Sequence, residues 1–312
     1  MASGRMIREI PVGRRIDGTP WSLLIVEHSR SSPGPTTAVV AGVYGDKPMS
    51  CLAVHVIDRI LGEAPELAGN VYLVAAANQP ALEAGTRINP DHLPLNRRFP
   101  GSATGFLTDQ IAHALIDDLV DRVDCILDLH SGTPTMALWY TYDFGQLDLS
   151  SSFGHLPVIE GHQSPGQLGT VAAEHGVPAL LAEWGGGSID SLEVGVQGTL
   201  NVLRHRGHLG GSATGPARLP VINDRRLMLA STPGAFESTV ATGDVGSPIE
   251  PGIVGWVTNV VTGERMEEFV VEDEGALLLM TVTAPAMVRP GDFVFMIGHP
   301  DREVNVPNHR GE

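Results

Sequence analysis

The strongest constraint on the fold is a change of period along the chain. Short continuous apolar runs, each ending in glycine or polar residues, alternate with segments whose apolar residues recur every three or four positions. The runs are Thr37 to Val43 (TAVVAGV), Val71 to Ala77 (VYLVAAA), Asp124 to Leu129 (DCILDL), Ala137 to Tyr142 (ALWYTY) and Pro178 to Ala182 (PALLA). Apolar in succession, they predict strands covered on both faces. Helical spacing occupies Ser50 to Leu61, Phe106 to Val120, Leu168 to His175 and Leu192 to Arg204. Ahead of these, two apolar runs between Arg8 and His28 flank Asp17-Gly18, a hairpin signal. Strands alternating with helices predict an α/β layered domain with a mostly parallel sheet. Beyond residue 215 the helical spacing stops. Short apolar runs separated by turn signals such as Pro233-Gly234, Thr262-Gly263 and Pro290-Gly291-Asp292 predict a small all-β domain. The expected division is therefore 1–215, α/β, and 216–312, β.

Charge narrows the partners. Twenty Lys and Arg against 36 Asp and Glu give a net charge of −16, which argues against nucleic acid or an anionic membrane surface. At 42% hydrophobic and 18% charged the chain has material for a large core. It carries no long apolar span and no signal-peptide pattern at its start, so a cytoplasmic location is expected. Cys51 and Cys125 lie in separate apolar segments and read as buried, reduced thiols. Self-association is left open. Among the basic residues, Lys47 is the single lysine.

In open α/β sheets ligands bind outside the carboxyl ends of the strands. Four loops there carry polar or glycine-rich clusters: Gly42 to Pro48; Asn78 to Gly101, which holds Arg87, Asn96 and Arg97; Asp128 to Gly132; and Glu183 to Gly187. Singly, each has a structural explanation as a turn, a cap or a hydrogen-bonded strand end. Four clusters converging on one rim instead predict a site. Arg87 and Arg97 suit a bidentate grip on an anion, Asn96 can orient an oxygen, and Glu183 can carry a proton.

The ordered stretches GVYGDK, NQPALEAGTR, PLNRRFPG, DLHSG and EWGGG resemble the succinylglutamate desuccinylase/aspartoacylase family, relatives of the zinc carboxypeptidases. That family reads G-V-H-G-D-E, N-P-x-A…G-x-R, D-L-N-R-x-F-P-G, D-L-H-S-G and E-x-G-G, and closes with a small β-domain. The resemblance spans nearly the whole chain. It implies a carboxypeptidase-like layered domain, hydrolysis of an amide (N-acyl) bond and a small acidic or N-acylated substrate. By position, His130 would be a zinc ligand and Glu183 the group that activates water. Arg87, Asn96 and Arg97 would bind the substrate carboxylate, and Arg97 would also polarise the carbonyl. The first motif departs from this pattern: Tyr44 and Lys47 stand where the family places its other two metal ligands, and Pro94 replaces the Asp before L-N-R. A protonated lysine cannot ligate zinc, and a neutral tyrosine is a poor ligand.

Three readings follow. The first is a zinc hydrolase with rearranged ligands, His130 and Asp46 with His155 or His162. The second is a metal-independent enzyme, hydrolytic or not, in which the Lys47 ammonium fills the space of the cation and Tyr44 and Glu183 carry protons. The third is a non-catalytic protein that binds a small carboxylate or a partner. The plain structural alternative for Lys47 is an ion pair with Asp46, His130 or Glu183. Retention of Arg87, Asn96, Arg97, His130 and Glu183 together favours an enzyme or specific binder over decay.

Overall fold

The computed structural model describes residues 4–30, 32–187 and 191–309. The chain opens with an antiparallel hairpin, β1 (Gly4–Arg14) and β2 (Pro20–Ser29). Its turn closes where Gly18 takes φ +83°, a conformation that costs glycine little, and Asp17 accepts bonds from the Thr19 backbone and hydroxyl. Then follow β3 (Thr36–Ala41), α1 (Pro48–Glu63), β4 (Asn70–Val74), α2 (Gln79–Ala84), α3 (Leu107–Asp118), β5 (Cys125–Ser131) and β6 (Met136–Asp143). After them come α4 (Leu147–Ser151), β7 (Val158–Ile159), α5 (Leu168–Glu174), β8 (Ala179–Gly185) and α6 (Leu192–His205). The remaining elements are strands and one short 3-10 turn: β9 (Arg218–Leu229), β10 (Gly234–Ser238), β11 (Gly252–Thr258), β12 (Arg265–Val271), β13 (Leu277–Val282), β14 (Ala286–Val288) and β15 (Phe293–Asn305).

Eleven strands form one sheet in the order β1-β2-β4-β3-β5-β8-β6-β13-β15-β9-β7. β3 and β5 are buried at almost every position, which is why they read as unbroken apolar runs rather than alternating ones. On one face, Ala53, Val54 and Ile57 of α1 pack with Val196, Leu200 and Leu203 of α6. On the other, Ile111 and Leu115 of α3 pack with Leu168 and Val171 of α5. These layers hold β4, β3, β5 and β8 rigidly and leave their carboxyl ends free to carry loops.

The expectation of a mostly parallel sheet needs correction. Parallel pairing is confined to β4-β3-β5-β8 and to β7 with its two neighbours, while β1, β2, β13 and β15 pair only antiparallel. The cause is a short return: four residues separate β5 from β6, too few for a helical crossover, so β6 runs antiparallel to β8. The expected division at residue 215 falls in the link between α6 and β9. Of the strands beyond it, β10, β11, β12 and β14 form a separate four-stranded sheet, whereas β9, β13 and β15 continue the large one through the β13–β6 pairing. Phe236, Phe269 and Phe295 meet edge to face between the two sheets, with ring centroids 5.3 to 6.0 Å apart. Among the described residues no helix is long and apolar enough to cross a membrane.

Candidate active site

Between β3 and α1 the chain passes through Gly42-Val43-Tyr44-Gly45-Asp46. A Cβ at Gly45 would run into the Ala81 carbonyl of α2, and the Gly45 N–H donates to the Thr86 carbonyl at 3.0 Å. Glycine is thus required for this loop to lie against α2. Lys47 is the N-cap of α1 and makes no capping bond there. A helix N-terminus carries partial positive charge and favours anions, so an ammonium at this position opposes local preference. Its partner is distant in sequence: Nζ donates to Glu183 Oε2 at 2.6 Å, with both side chains nearly buried. Burial pushes the Lys47 pKa down, and the Glu183 carboxylate pulls it back up.

Sheet register sets the remaining geometry. Glu183 on β8 lies directly opposite His130 on β5 and Tyr140 on β6, forming one row across three strands. Asp128 and His130, two apart on β5, share a face, and His130 Nε2 meets Asp128 Oδ1 at 2.9 Å. That bond turns Nδ1 toward Glu183 Oε1 at 3.7 Å, beyond hydrogen-bond range, and the buried Nδ1 has no partner. The Tyr44 ring meets His130 edge-on with centroids 5.3 Å apart, and the Arg87 guanidinium lies 4.1 Å over the same ring. Burial raises the Tyr44 pKa, so its hydroxyl stays protonated.

Of these groups Tyr44, Lys47, Arg87, Tyr140 and Glu183 border a pocket of about 270 Å³, which His130 and Asp128 do not line. Tyr44, Lys47, Arg87, Asn96, Arg97 and Glu183, expected from the sequence, all line it. The Asn96 carbonyl oxygen is tied to the Leu168 N–H at the start of α5, which leaves its amide nitrogen for the pocket. Internal pairing of the arginines with Asp91 or Asp128 does not occur. Asp91 accepts from Thr108, Asp128 meets His130, and Arg87 and Arg97 have no carboxylate partner among the described residues. A third arginine, Arg225 on β9, also lines the pocket unpaired with any carboxylate among those residues. It is held by His162, whose Nδ1 accepts from Arg225 at 3.2 Å while Nε2 meets Gln167 Oε1 at 2.7 Å. The His162 ring stacks on Tyr142 at 3.7 Å, and burial lowers its pKa to about 4, so it is a neutral acceptor for the arginine. The lining therefore carries four cations and one carboxylate in a chain of net charge −16. Such an inversion focuses anions into the cleft.

The rearranged zinc site is not assembled. Asp46 does not line the pocket, His155 bonds the Thr214 hydroxyl and His162 is committed to Gln167 and Arg225. Among the described residues no group of three His, Cys, Asp or Glu side chains is arranged to hold a metal ion. A zinc ion on Glu183, at the usual carboxylate distance of about 2.1 Å, would lie within about 5 Å of the ammonium that the same carboxylate holds. At an effective dielectric of about 20 that repulsion is about 7 kcal/mol. The donor set present does not fit the metal that the resemblance implies: His130 and Asp46 belong to no three-ligand group among the described residues.

Sequence reasoning missed Tyr140, Tyr142, Gln167 and Arg225, and offered His162 only as a zinc ligand and not as the partner of Arg225. The two tyrosines carried a signal, since Met136, Leu138, Tyr140 and Tyr142 are alternate residues of β6 and all line the pocket. Arg225 had none, because a long antiparallel return brings it to the site.

Residues 33–206 match the family model described as the succinylglutamate desuccinylase/aspartoacylase catalytic domain. The chain is 28% identical over 305 residues to an N-alpha-acetyl-L-2,4-diaminobutyric acid deacetylase of Halomonas elongata, covering 90% of this chain and 87% of that protein. Among solved structures it is similar to a succinylglutamate desuccinylase from Silicibacter sp. TM1040, with TM-score 0.82, 24% identity and 96% of each chain covered. A more distant likeness in fold, TM-score 0.52 at 14% identity over 66% of this chain and 65% of the other, is to a metallo-carboxypeptidase from Burkholderia cenocepacia.

Proposed function

The chain belongs to the succinylglutamate desuccinylase/aspartoacylase family, and from that premise we propose that it is an amide hydrolase that removes the acyl group from a small carboxylate-bearing N-acyl compound without a catalytic metal. The observation that carries this reading is the buried Lys47–Glu183 pair, set in a pocket whose three arginines have no carboxylate partner among the described residues. The relative in Halomonas is named as a deacetylase of an N-acetyl amino acid, which agrees with the reaction class.

Arg87, Arg97 and Arg225 bind the substrate carboxylate through charge-assisted hydrogen bonds. Glu183 Oε2 is held by Lys47, and Oε1 makes no hydrogen bond among the described residues. Oε1 takes a proton from a water, whose oxygen adds to the amide carbonyl carbon. The carbonyl oxygen becomes an oxyanion faced by the Lys47 ammonium and the Arg97 guanidinium, fixed positive charges that need no reorganisation. Glu183 then delivers the proton to the departing nitrogen, the C–N bond breaks, and one water has been divided between the carboxylic acid and the amine. His130, oriented by Asp128, stands next to Glu183 without a hydrogen bond to its carboxylate.

A second reading, a carboxylate-binding protein without turnover, is favoured by one observation: the Lys47 bond occupies an oxygen of the proposed base. Amine release from a panel of N-acyl amino acids separates the two. Turnover that persists in Tyr44→Phe but disappears in Glu183→Gln and Lys47→Met supports the hydrolase. Binding with no amine released by the wild type supports the binder.

A further inference from the structure

Resting on the amide-hydrolase reading, we propose that the substrate is amphiphilic: an N-acyl amino acid with one carboxylate and one apolar arm of several carbons. The pocket has two unlike walls. One is cationic and holds Arg87, Arg97 and Arg225. The other is formed by Met136, Leu138, Leu227, Met280, Phe293 and Met296, none of which offers a hydrogen-bond donor to an anion.

Sheet register makes that second wall continuous. Leu138 on β6 pairs with Met280 on β13, Met280 pairs with Met296 on β15, and Met296 pairs with Leu227 on β9. Four adjacent strands thus present one apolar row on the pocket face. The row starts two residues along β6 from Tyr140, which lies opposite Glu183, so it begins beside the reacting groups and leads away from them. Its inner members are core-like, Met280 at 3% and Met296 at 4% exposure. Its outer end, Leu227 at 42% with Phe293 at 46%, remains open to water. Large apolar side chains left wet at the end of a buried apolar row are what an apolar ligand would cover. The methionines add a surface that adapts to arms of different shape.

Size agrees. A volume of about 270 Å³ holds about nine waters at ~30 Å³ each, or a molecule of about a dozen non-hydrogen atoms. N-acetylglycine would leave the row uncovered. An acid arm laid along its inner members, Leu138, Met280 and Met296, would lose its hydration with no donor in return. The apolar arm can belong to the acyl group or to the amino-acid side chain, and the two are separated by choice of ligand.

The test is calorimetric titration of the full chain with N-hexanoylglycine, N-acetylleucine, N-acetylaspartate and N-acetylglycine, with amine release followed in parallel. The expected result is that N-hexanoylglycine, N-acetylleucine or both bind about ten- to a hundredfold more tightly than N-acetylglycine and N-acetylaspartate. Whichever is tighter identifies the arm. Leu227→Asp, at a half-exposed position that spares folding, is expected to narrow that ratio, with circular dichroism as the control. N-acetylaspartate as the tightest ligand would overturn the inference and leave the hydrolase reading standing. Preference for the apolar arm without amine release would overturn the hydrolase reading and keep the ligand class. No binding of any of the four would overturn both.

Discussion

Replacing Lys47 by methionine tests the site through stability as well as activity. The substitution keeps most of the stem and removes the charge, leaving the Glu183 carboxylate nearly buried without the hydrogen bond it now receives at 2.6 Å. Breaking a buried pair on one side costs about 3–5 kcal/mol, because an uncompensated charge remains. Glu183 borders a pocket with arginines, which places the expected loss near the lower end, about 3 kcal/mol. For a chain of 312 residues that is a fall in Tm of about 5 °C. Glu183→Gln alone strands the ammonium and is expected to lose a similar amount, whereas the double variant Lys47→Met/Glu183→Gln leaves no buried charge and recovers most of the loss. A positive coupling of about 2 kcal/mol or more in that cycle, measured by urea unfolding at pH 7, is the quantitative expectation. A loss below about 0.5 kcal/mol for Lys47→Met, the level of an ordinary surface substitution, would refute the reasoning, because it would place the ammonium in water.

Three further outcomes are expected. His162 stays neutral in the folded chain down to about pH 4, while the unfolded chain takes up the proton near the ordinary histidine value of 6.5. The unfolded state therefore binds more protons between those values, and stability falls as pH drops through that window by about 3 kcal/mol from this group. Denaturant unfolding of His162→Gln should show a correspondingly shallower pH dependence, and an unchanged slope would reject the assignment. Arg225→Gln removes a charge-assisted contact and should raise KM, or the Kd of a substrate carboxylate, about ten- to a hundredfold with little change in kcat; a fall confined to kcat would remove Arg225 from binding. Gly45→Ala drives a Cβ into the Ala81 carbonyl and should lower stability by about 1–3 kcal/mol in a thermal melt, whereas an unchanged Tm would show that the loop yields freely.

Local patterns carried most of the catalytic half of this molecule. Unbroken apolar runs located β3, β5 and β8 because strands covered on both faces admit few polar residues. The loops after those strands then marked Lys47, His130 and Glu183 as neighbours. What remained hidden lies in long-range pairing. That β6 turns back against β8, and that β13, β15 and β9 extend the sheet beyond it, depends on contacts between segments far apart in the chain, such as Leu138 with Met280. The apolar row and Arg225 exist only because of that pairing, so no local pattern announces them. For Lys47, the sequence left Asp46, His130 and Glu183 as equal partners. The choice of Glu183 follows from register, since β8 stands next to β5 with Glu183 level with His130.

The most direct measurement is turnover of an N-acyl amino acid by protein treated with chelator, with metal content determined on the same sample. Activity at the untreated level with no stoichiometric metal, and its loss in Lys47→Met, is the predicted result. Activity abolished by the chelator and restored by one equivalent of zinc would contradict a site in which a lysine ammonium stands where a metal ion would be.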